Sequence, residues 1–324
     1  MCPLFTGSLT NYKSLRRKIK IIIKSIKTKK ALNVNAGNKV LIVSKPHRQW
    51  AEKYENLISG CSHDCKYCYA KATAVHYKLN TSTNWKNEVI RKSDLLKKKF
   101  RKRNKLIMVP SSHDITPAHL QENIIFIGNI LAAGNKVLIV SKPHFNCIKA
   151  ICDAFIPFKE NILFRFTIGS ADFNILKFWE LNAPNFDERL EALKYAFNAG
   201  YETSVSCEPM LDDKIDQVID QVLPYVTETI WLGKPNQLTG RLSINGFKND
   251  LVTMSRGRAL MKIFSDAYIL DLYARYKNNS EIMWKSSIKK VLGKYKIEIE
   301  NDNLRTQILS DCMSVAGVDS FVVA

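Results

Sequence analysis

The chain has 324 residues, 46% hydrophobic and 10% aromatic, enough for a sizeable core in one large domain or two small ones. The longest apolar run near the N-terminus, Ile21-Ile22-Ile23, is enclosed by lysines and far too short for a signal h-region or a membrane span. This predicts a soluble, cytoplasmic protein with no membrane partner, whose eight cysteines serve metal or redox chemistry rather than a disulfide framework. The formal net charge is +19, but residues 1–30 contribute nine Lys/Arg and no acid, and residues 86–105 ten Lys/Arg against Glu88 and Asp94. The other 274 residues are nearly neutral, so the cationic character sits in two segments. They fit either a polyanionic partner such as nucleic acid, or a solvated arm and a solvated helix.

In chain order, residues 1–50 read as a basic N-terminal extension. It contains AGNKVLIVSKPH at 36–47, and the same twelve residues recur at 133–144. The flanks of the two copies share nothing, so the repeat reads as a recent local copy rather than a repeat architecture. Lys45 of the first copy is expected away from any cofactor. From residue 51, short apolar runs alternate with amphipathic segments. Strands are predicted at Glu55–Ser59, Lys105–Pro110, Lys136–Ser141, Ile162–Ile168, Glu202–Ser206 and Thr229–Leu232. Helices are predicted near 71–79, 117–132, 145–156, 171–181, 186–199 and 212–224, with Thr116 as a cap before Pro117. Gly200 closes the fifth helix.

Six such units in order predict an α/β fold: a partial (β/α)6 TIM-like barrel over residues 51–240. It carries an N-terminal basic arm and a mainly helical C-terminal extension over 241–324 packed on the barrel. That extension is expected to hold helices after about 255, a basic helix at 281–293 and a β-like end at Ser320–Val323. In parallel barrels the chemistry gathers at the C-terminal strand ends. Here those ends read GCSHDCKYCYA, PSSHD, SKPH, IGSADF, SCEPM and GKPNQ, all carrying charged, titratable or thiol groups.

The most specific signal is Cys61-Ser-His-Asp-Cys65-Lys-Tyr-Cys68, a C-x3-C-x2-C loop directly after the first predicted strand. Three thiolates on one short loop bind three irons of a cubane cluster. A closed structural zinc site wants a fourth ligand, and no regularly spaced Cys or His supplies one. His63 lies inside the loop, where its reach to the same metal is expected to be poor. One iron is therefore left open for a substrate or cofactor.

C-x3-C-x-aromatic-C after a strand resembles the radical S-adenosylmethionine (radical SAM) superfamily, with Tyr67 as the aromatic residue. PSSHDITP, VLIVSKP, FTIGS, TSVSCEPMLD and IWLGK resemble its spore photoproduct lyase-like branch, often grouped as DNA-repair-photolyase-like proteins. The resemblance spans roughly residues 50–240. It implies a [4Fe-4S] cluster on Cys61, Cys65 and Cys68, with SAM at the open iron and Tyr67 beside the adenine. The glycine-glycine-glutamate stretch that holds the SAM amino group in many relatives is missing, and Ser112 and Asp114 stand in its place; the alternative for His113-Asp114 is helix capping. Lys142, Ser170 and Glu208 would meet the SAM carboxylate or ribose, the alternative being a buried Lys–Glu pair. Lys234 and Asn236 would face substrate or adenine.

The implied reaction is reductive cleavage of SAM to a 5′-deoxyadenosyl radical that abstracts hydrogen, fed by reduced ferredoxin or flavodoxin. Cys207 is the candidate for returning a hydrogen atom to the product radical, although strand alternation weakens that assignment. Cys147 and Cys152 read as core thiols. Three readings stay open: a radical enzyme acting on nucleic acid, by repair or base modification; one acting on a peptide or small molecule; and a non-catalytic Fe-S binding or regulatory protein. The oligomeric state is left undetermined. Residues 86–105 lead into the second predicted strand, so they are expected at the end of the barrel opposite the site.

Overall fold

A computed structural model describes residues 50–97, 99–297 and 299, all within one compact unit. Seven strands form one parallel sheet among these residues: β1 (Lys53–Tyr54), β4 (Ile107–Val109), β5 (Val137–Ser141), β6 (Ile162–Thr167), β7 (Glu202–Cys207), β8 (Ile230–Leu232) and β9 (Ile282–Trp284). They lie side by side in chain order, and every pairing is parallel. Constant winding in one direction, with helices in the crossovers, curls a parallel sheet into a barrel rather than a doubly wound sheet. No pairing between β1 and β9 occurs among the described residues, so the barrel is partial.

The central strands carry apolar residues on both faces because both are buried. On one face Val137, Ile139, Phe164, Phe166, Val205, Ile230 and Leu232 join the main core under the helices. On the other, Leu138 and Leu163 pack with Met108 and Ala51 in a second cluster inside the barrel, with Trp50, Tyr54 and Val140 against it. Each fully buried Leu, Ile, Val or Phe side chain contributes roughly 1.5–3 kcal/mol. The outer layer comprises α1 (Tyr69–His76), α2 (Lys92–Leu95), α3 (Leu120–Ala132), α4 (Phe145–Ala154), α5 (Phe173–Trp179), α6 (Phe186–Asn198) and α7 (Ile215–Val222). In α7, Ile215, Val218, Ile219 and Val222 repeat at helical spacing and all are buried.

Five predicted strands lie within a residue or two of their observed bounds, but the first does not. Residues 53–54 form the barrel strand, while Ile58–Ser59 (β2) pairs antiparallel with Val89–Ile90 (β3) in a separate ribbon. The only apolar pair in the predicted strand, Leu57-Ile58, marks burial in the side ribbon, and the barrel strand lies just ahead of it at 53–54, where no alternation announces it. Predicted helix 281–293 divides into β9, Ile282–Trp284, and a helix from Ser286 to Lys294 (α11). The Ile-Met-Trp run is buried against β8, where its strand-favouring Ile and Trp pair with the sheet before the helix begins.

Thr116 does not cap a helix with its side chain. Its hydroxyl donates to Glu88 at 2.7 Å, and Pro117–His119 forms a 3₁₀ turn ahead of α3. Gly200 closes α6 with φ +84°, as expected. Gly134, in the second copy of the repeat, ends the α3 segment with φ +75°; β5 and Lys142 follow as predicted. The first copy, Lys45 and Ser320–Val323 lie outside the described residues.

The region after β8 continues as α8 (Leu238–Leu242), a π-helical turn over Ser243–Phe247, α9 (Leu251–Ile263) and α10 (Asp266–Tyr276) before β9. No described helix is long and apolar enough to cross a membrane.

Candidate active site

The cysteine loop rises from β2 above the C-terminal edge of the sheet, and its entry is sterically set. Gly60 has φ +93°, and a Cβ there would lie 2.4 Å from the Asn87 carbonyl oxygen and 2.7 Å from that of Trp85. The Cys61 N–H donates to the Trp85 carbonyl at 2.9 Å, and the Ser62 N–H to Glu88 Oε1 at 2.9 Å. Farther along, the Lys66 N–H donates to the Trp179 carbonyl at 2.9 Å, and Asp64 pairs with the buried Lys71 at 2.7 Å. The Cys68 sulfur accepts the Lys71 N–H at 3.4 Å and thereby caps α1.

Cys61 and Cys65 are buried and Cys68 partly so. Burial pushes the Cys61 thiol well up; Asp114, Cys65 and Cys68 push the same way. The Cys65 and Cys68 thiols are raised chiefly by burial as well. Three thiols crowded away from water resist ionising unless a cation compensates. An iron-sulfur cluster supplies that compensation, so this donor set fits one.

Asp114, after β4, is the hub beneath the loop. Its Oδ1 accepts the Lys142 N–H at 2.8 Å and the Ser141 hydroxyl at 3.3 Å. Its Oδ2 lies 2.8 Å from His63 Nδ1, 3.4 Å from Lys142 Nζ and 3.9 Å from Cys61 Sγ. Burial works against this carboxylate, but Lys142 and His63 outweigh it and hold the pKa well below the usual carboxylate range. Burial likewise disfavours the Lys142 charge, and Asp114, Cys65 and Tyr67 more than reverse it. With both oxygens engaged, Asp114 orders the loop and the strand ends beneath it.

The expectation that His63 reaches poorly is corrected. Donor atoms of Cys61, His63 and Asp114 lie within 4.8 Å of one another, because the loop folds His63 inward beneath Cys61. His63 Nε2 also stands 2.9 Å from His144 Nε2, and His144 Nδ1 lies 3.4 Å from Glu188 Oε1.

Tyr67 is held from the other side. Its hydroxyl donates to Glu180, which forms a fully buried ion pair with Arg189. Arg189 Nε donates to the Pro184 carbonyl at 2.8 Å and its Nη1 to that of Thr167 at 3.1 Å. Lys142 Nζ sits 6.0 Å from the centre of the Tyr67 ring.

The remaining predicted site residues are dispersed around the mouth. Asn56 Oδ1 accepts the Ser112 N–H at 2.9 Å and the Ser111 N–H at 2.8 Å, so Ser112 lies on a turn ordered by Asn56. Ser170 donates its hydroxyl to Asp212 and accepts the Asp172 N–H at 2.9 Å, joining the loops after β6 and β7. Glu208 pairs at 2.9 Å with Lys285, just after β9; the Lys–Glu pair of the mouth is therefore Lys285–Glu208, while Lys142 pairs with Asp114. Lys234 Nζ donates to the Phe264 carbonyl at 3.4 Å, and Asn236 is exposed.

Cys207 closes β7 opposite Leu232, on the same strand face as Val205, and is fully buried. Strand alternation puts Ser206 and Ser204, the partner of Arg165, on the other face. The expected placement of the Cys207 thiol at the mouth is corrected accordingly. Cys147 and Cys152 are buried in α4, with thiols pushed up to about 12 by burial.

Sequence reasoning missed the barrel interior. Arg165, in the middle of β6, donates to Ser204 at 2.9 Å and to Glu228 at 2.5 Å. Its guanidinium lies 4.6 Å from the Trp50 ring centre and 5.4 Å from that of Trp231. Lys285 Nζ lies 3.7 Å from the Trp50 ring centre. An arginine inside an apolar strand run was the one visible signal; Trp50, Glu180 and Lys285 carried none.

No family model matches the chain. It is 27% identical over 212 residues to an uncharacterized protein of Methanocaldococcus jannaschii, covering 64% of this chain and 75% of that protein. Among solved structures, it is similar to a mutant of spore photoproduct lyase at 15% identity, covering 72% of this chain and 78% of that one, with a TM-score of 0.45. It is also similar to Streptococcus suis SuiB bound to the precursor peptide SuiA, at 12% identity over 88% of this chain and 66% of that one, with a TM-score of 0.46.

Proposed function

We propose that this chain is a radical SAM enzyme, with a [4Fe-4S] cluster on Cys61, Cys65 and Cys68 and SAM at the barrel mouth. The observation that carries this reading is three crowded thiols on one short loop above the C-terminal edge of a parallel sheet. With both groups bound there and one electron delivered by a reduced donor protein, the chemistry they would supply is reductive cleavage of SAM to methionine and a 5′-deoxyadenosyl radical, for hydrogen abstraction from substrate. The chain's residues hold and shield that chemistry. Asp114 and His63 order the loop from below, and the Glu180–Arg189 pair fixes Tyr67. Lys142, with its charge favoured by Asp114, would be the cation to hold a carboxylate such as that of SAM. The buried surroundings keep water from the reacting groups.

For the substrate we infer nucleic acid, in a repair-lyase or base-modifying role. Lys86 and Arg91 are exposed on either side of Glu88, which holds the Ser62 N–H of the cysteine loop, and such open cations beside the site suit a polyanion; Lys142 and Lys285 are already paired with Asp114 and Glu208. The expectation that residues 86–105 all lie opposite the site is corrected at their start, where β3 and Glu88 adjoin the cysteine loop, while the rest of the segment leads away from it. The segment ends with the Arg103 N–H on Asn135 Oδ1 and Arg103 Nη1 near Glu52, before β5 and β1, at the end opposite the mouth. Reduced ferredoxin or flavodoxin is the proposed electron donor, an acidic partner suited to a chain of net charge +19.

The test is anaerobic reconstitution with iron and sulfide, then a 5′-deoxyadenosine assay under reducing conditions, with and without single- and double-stranded oligonucleotides. Stimulated turnover and a modified oligonucleotide are expected. Turnover that only peptides or small molecules stimulate would overturn the nucleic-acid reading. A cluster that never cleaves SAM would make this a non-catalytic Fe-S protein.

A further inference from the structure

The segment between Cys65 and Cys68 is gripped by a side chain from far along the sequence. Asn245 sits in the π-helical turn after α8 and is 2% exposed. Its Nδ2 donates to the Lys66 carbonyl at 2.9 Å and to the Cys68 carbonyl at 3.0 Å. Both amide N–H groups are thus engaged on carbonyls that flank the Tyr67 peptide. Gly246, next in the chain, has φ +98°, and a Cβ there would come within 3.0 Å of Ser82 Oγ, so the turn that presents Asn245 depends on glycine at that position.

Asn245 Oδ1 is buried and has no hydrogen-bond partner. An orphaned buried carbonyl is destabilising, and an apolar side chain of similar volume would avoid it. The amide here thus leaves its own oxygen unpaired in exchange for holding two loop carbonyls. What the amide offers over leucine is two N–H donors on the cysteine loop. The same stretch is anchored elsewhere by the Lys66 N–H on the Trp179 carbonyl and by Lys66 Nζ, 3.0 Å from the Thr253 hydroxyl of α9.

We propose that Asn245 is a positioning residue for the cluster. It holds the Cys65–Cys68 segment in its metal-binding form and so ties the region after the barrel to cluster retention. This rests on the radical SAM reading above, specifically on the cluster ligands. Asn245 touches neither cluster nor SAM in this role; it acts through the loop backbone.

The experiment uses the full chain, reconstituted anaerobically, as wild type and as Asn245→Leu, Asn245→Ala and Asn245→Asp. Iron content, loss of iron to a chelator, the electron paramagnetic resonance spectrum of the reduced cluster and thermal melting are read on each. Asn245→Leu is expected to melt below wild type by no more than two lost hydrogen bonds allow, yet to lose iron roughly tenfold faster, with altered g-values in the folded, cluster-loaded fraction. Asn245→Asp, which faces two carbonyls with oxygens, is expected to do worse. Variants with wild-type iron retention and spectra would overturn the inference while leaving the cluster assignment intact. If Asn245→Leu and Asn245→Ala both fail to fold, Asn245 serves the fold alone and the inference is likewise overturned. A wild-type chain that takes up no cluster would overturn the radical SAM reading itself, and this proposal with it.

Discussion

The two arcs of the barrel mouth are built on different principles. The arc of the cysteine loop, β4 and β5 brings polar groups to a shared point: Cys61, His63, Asp114 and Lys142 interlock within a few ångströms. The arc from β6 to β9 divides its charges into separate pairs, Arg165–Glu228 and Lys285–Glu208, on either side of Trp50 and beside Trp231. A buried polar group has to be satisfied wherever it lies, but satisfaction by convergence leaves a site that accepts a cation. Satisfaction by pairing and aromatic packing instead fills the barrel, from the Arg165–Glu228 pair inside it to the Lys285–Glu208 pair at its mouth. Under the proposed function, the chemistry belongs to the first arc and the shaping of the cavity to the second.

The largest test of that contrast is removal of a ligand. Cys61→Ala, Cys65→Ala or Cys68→Ala should each bring iron content after reconstitution close to background, whereas Arg165→Met should leave it at the wild-type level. Iron loss in Arg165→Met would erase the distinction between the arcs. Next in size is Glu180→Gln, which leaves the buried Arg189 guanidinium without its counter-charge and with one acceptor fewer to share with the Tyr67 hydroxyl. It should destabilise by about 3–5 kcal/mol in chemical denaturation.

That pair also has a pH signature. Burial opposes the Glu180 charge, but Arg189 and Lys142 outweigh it and set the folded pKa below the ordinary 4.5. Its stabilisation is therefore complete above pH 4.5 and is lost as the pH falls through the folded value. A melting-temperature profile between pH 3 and 7 should fall at its acid end in wild type and less steeply in Glu180→Gln.

Smaller effects are expected from the second arc. Lys285→Met keeps the packing on Trp50 and leaves Glu208, whose side chain is 34% exposed, able to turn to water. Stability should change by less than about 1 kcal/mol, while turnover of an anionic substrate falls. Smallest is Cys207→Ala, a modest truncation in the helix-facing core costing about 1 kcal/mol. Iron content and SAM cleavage should be unchanged; a specific loss of product formation would restore Cys207 as the hydrogen donor.

The parallel barrel was legible in the sequence because strands buried on both faces must be apolar along their length, as KVLIVS and ILFRFTI are, and because the intervening helices carry one apolar face. The cysteine loop stood out in the sequence because its three thiols are local, fixed by spacing on one short stretch. Tertiary structure alone decided the rest. Which half of residues 53–59 joins the main sheet, whether Ile282–Trp284 is strand or helix, and which carboxylate meets Lys142 all depend on partners distant along the chain. His63 turned inward only because Asp114, 51 residues on, waits beneath it, and Asn245 reaches the loop from 177 residues beyond Cys68. Local sequence encodes the period of an element and the spacing of a motif. Pairing between buried polar groups is set by which of them the closed fold brings within hydrogen-bond reach, and no local pattern carries that information.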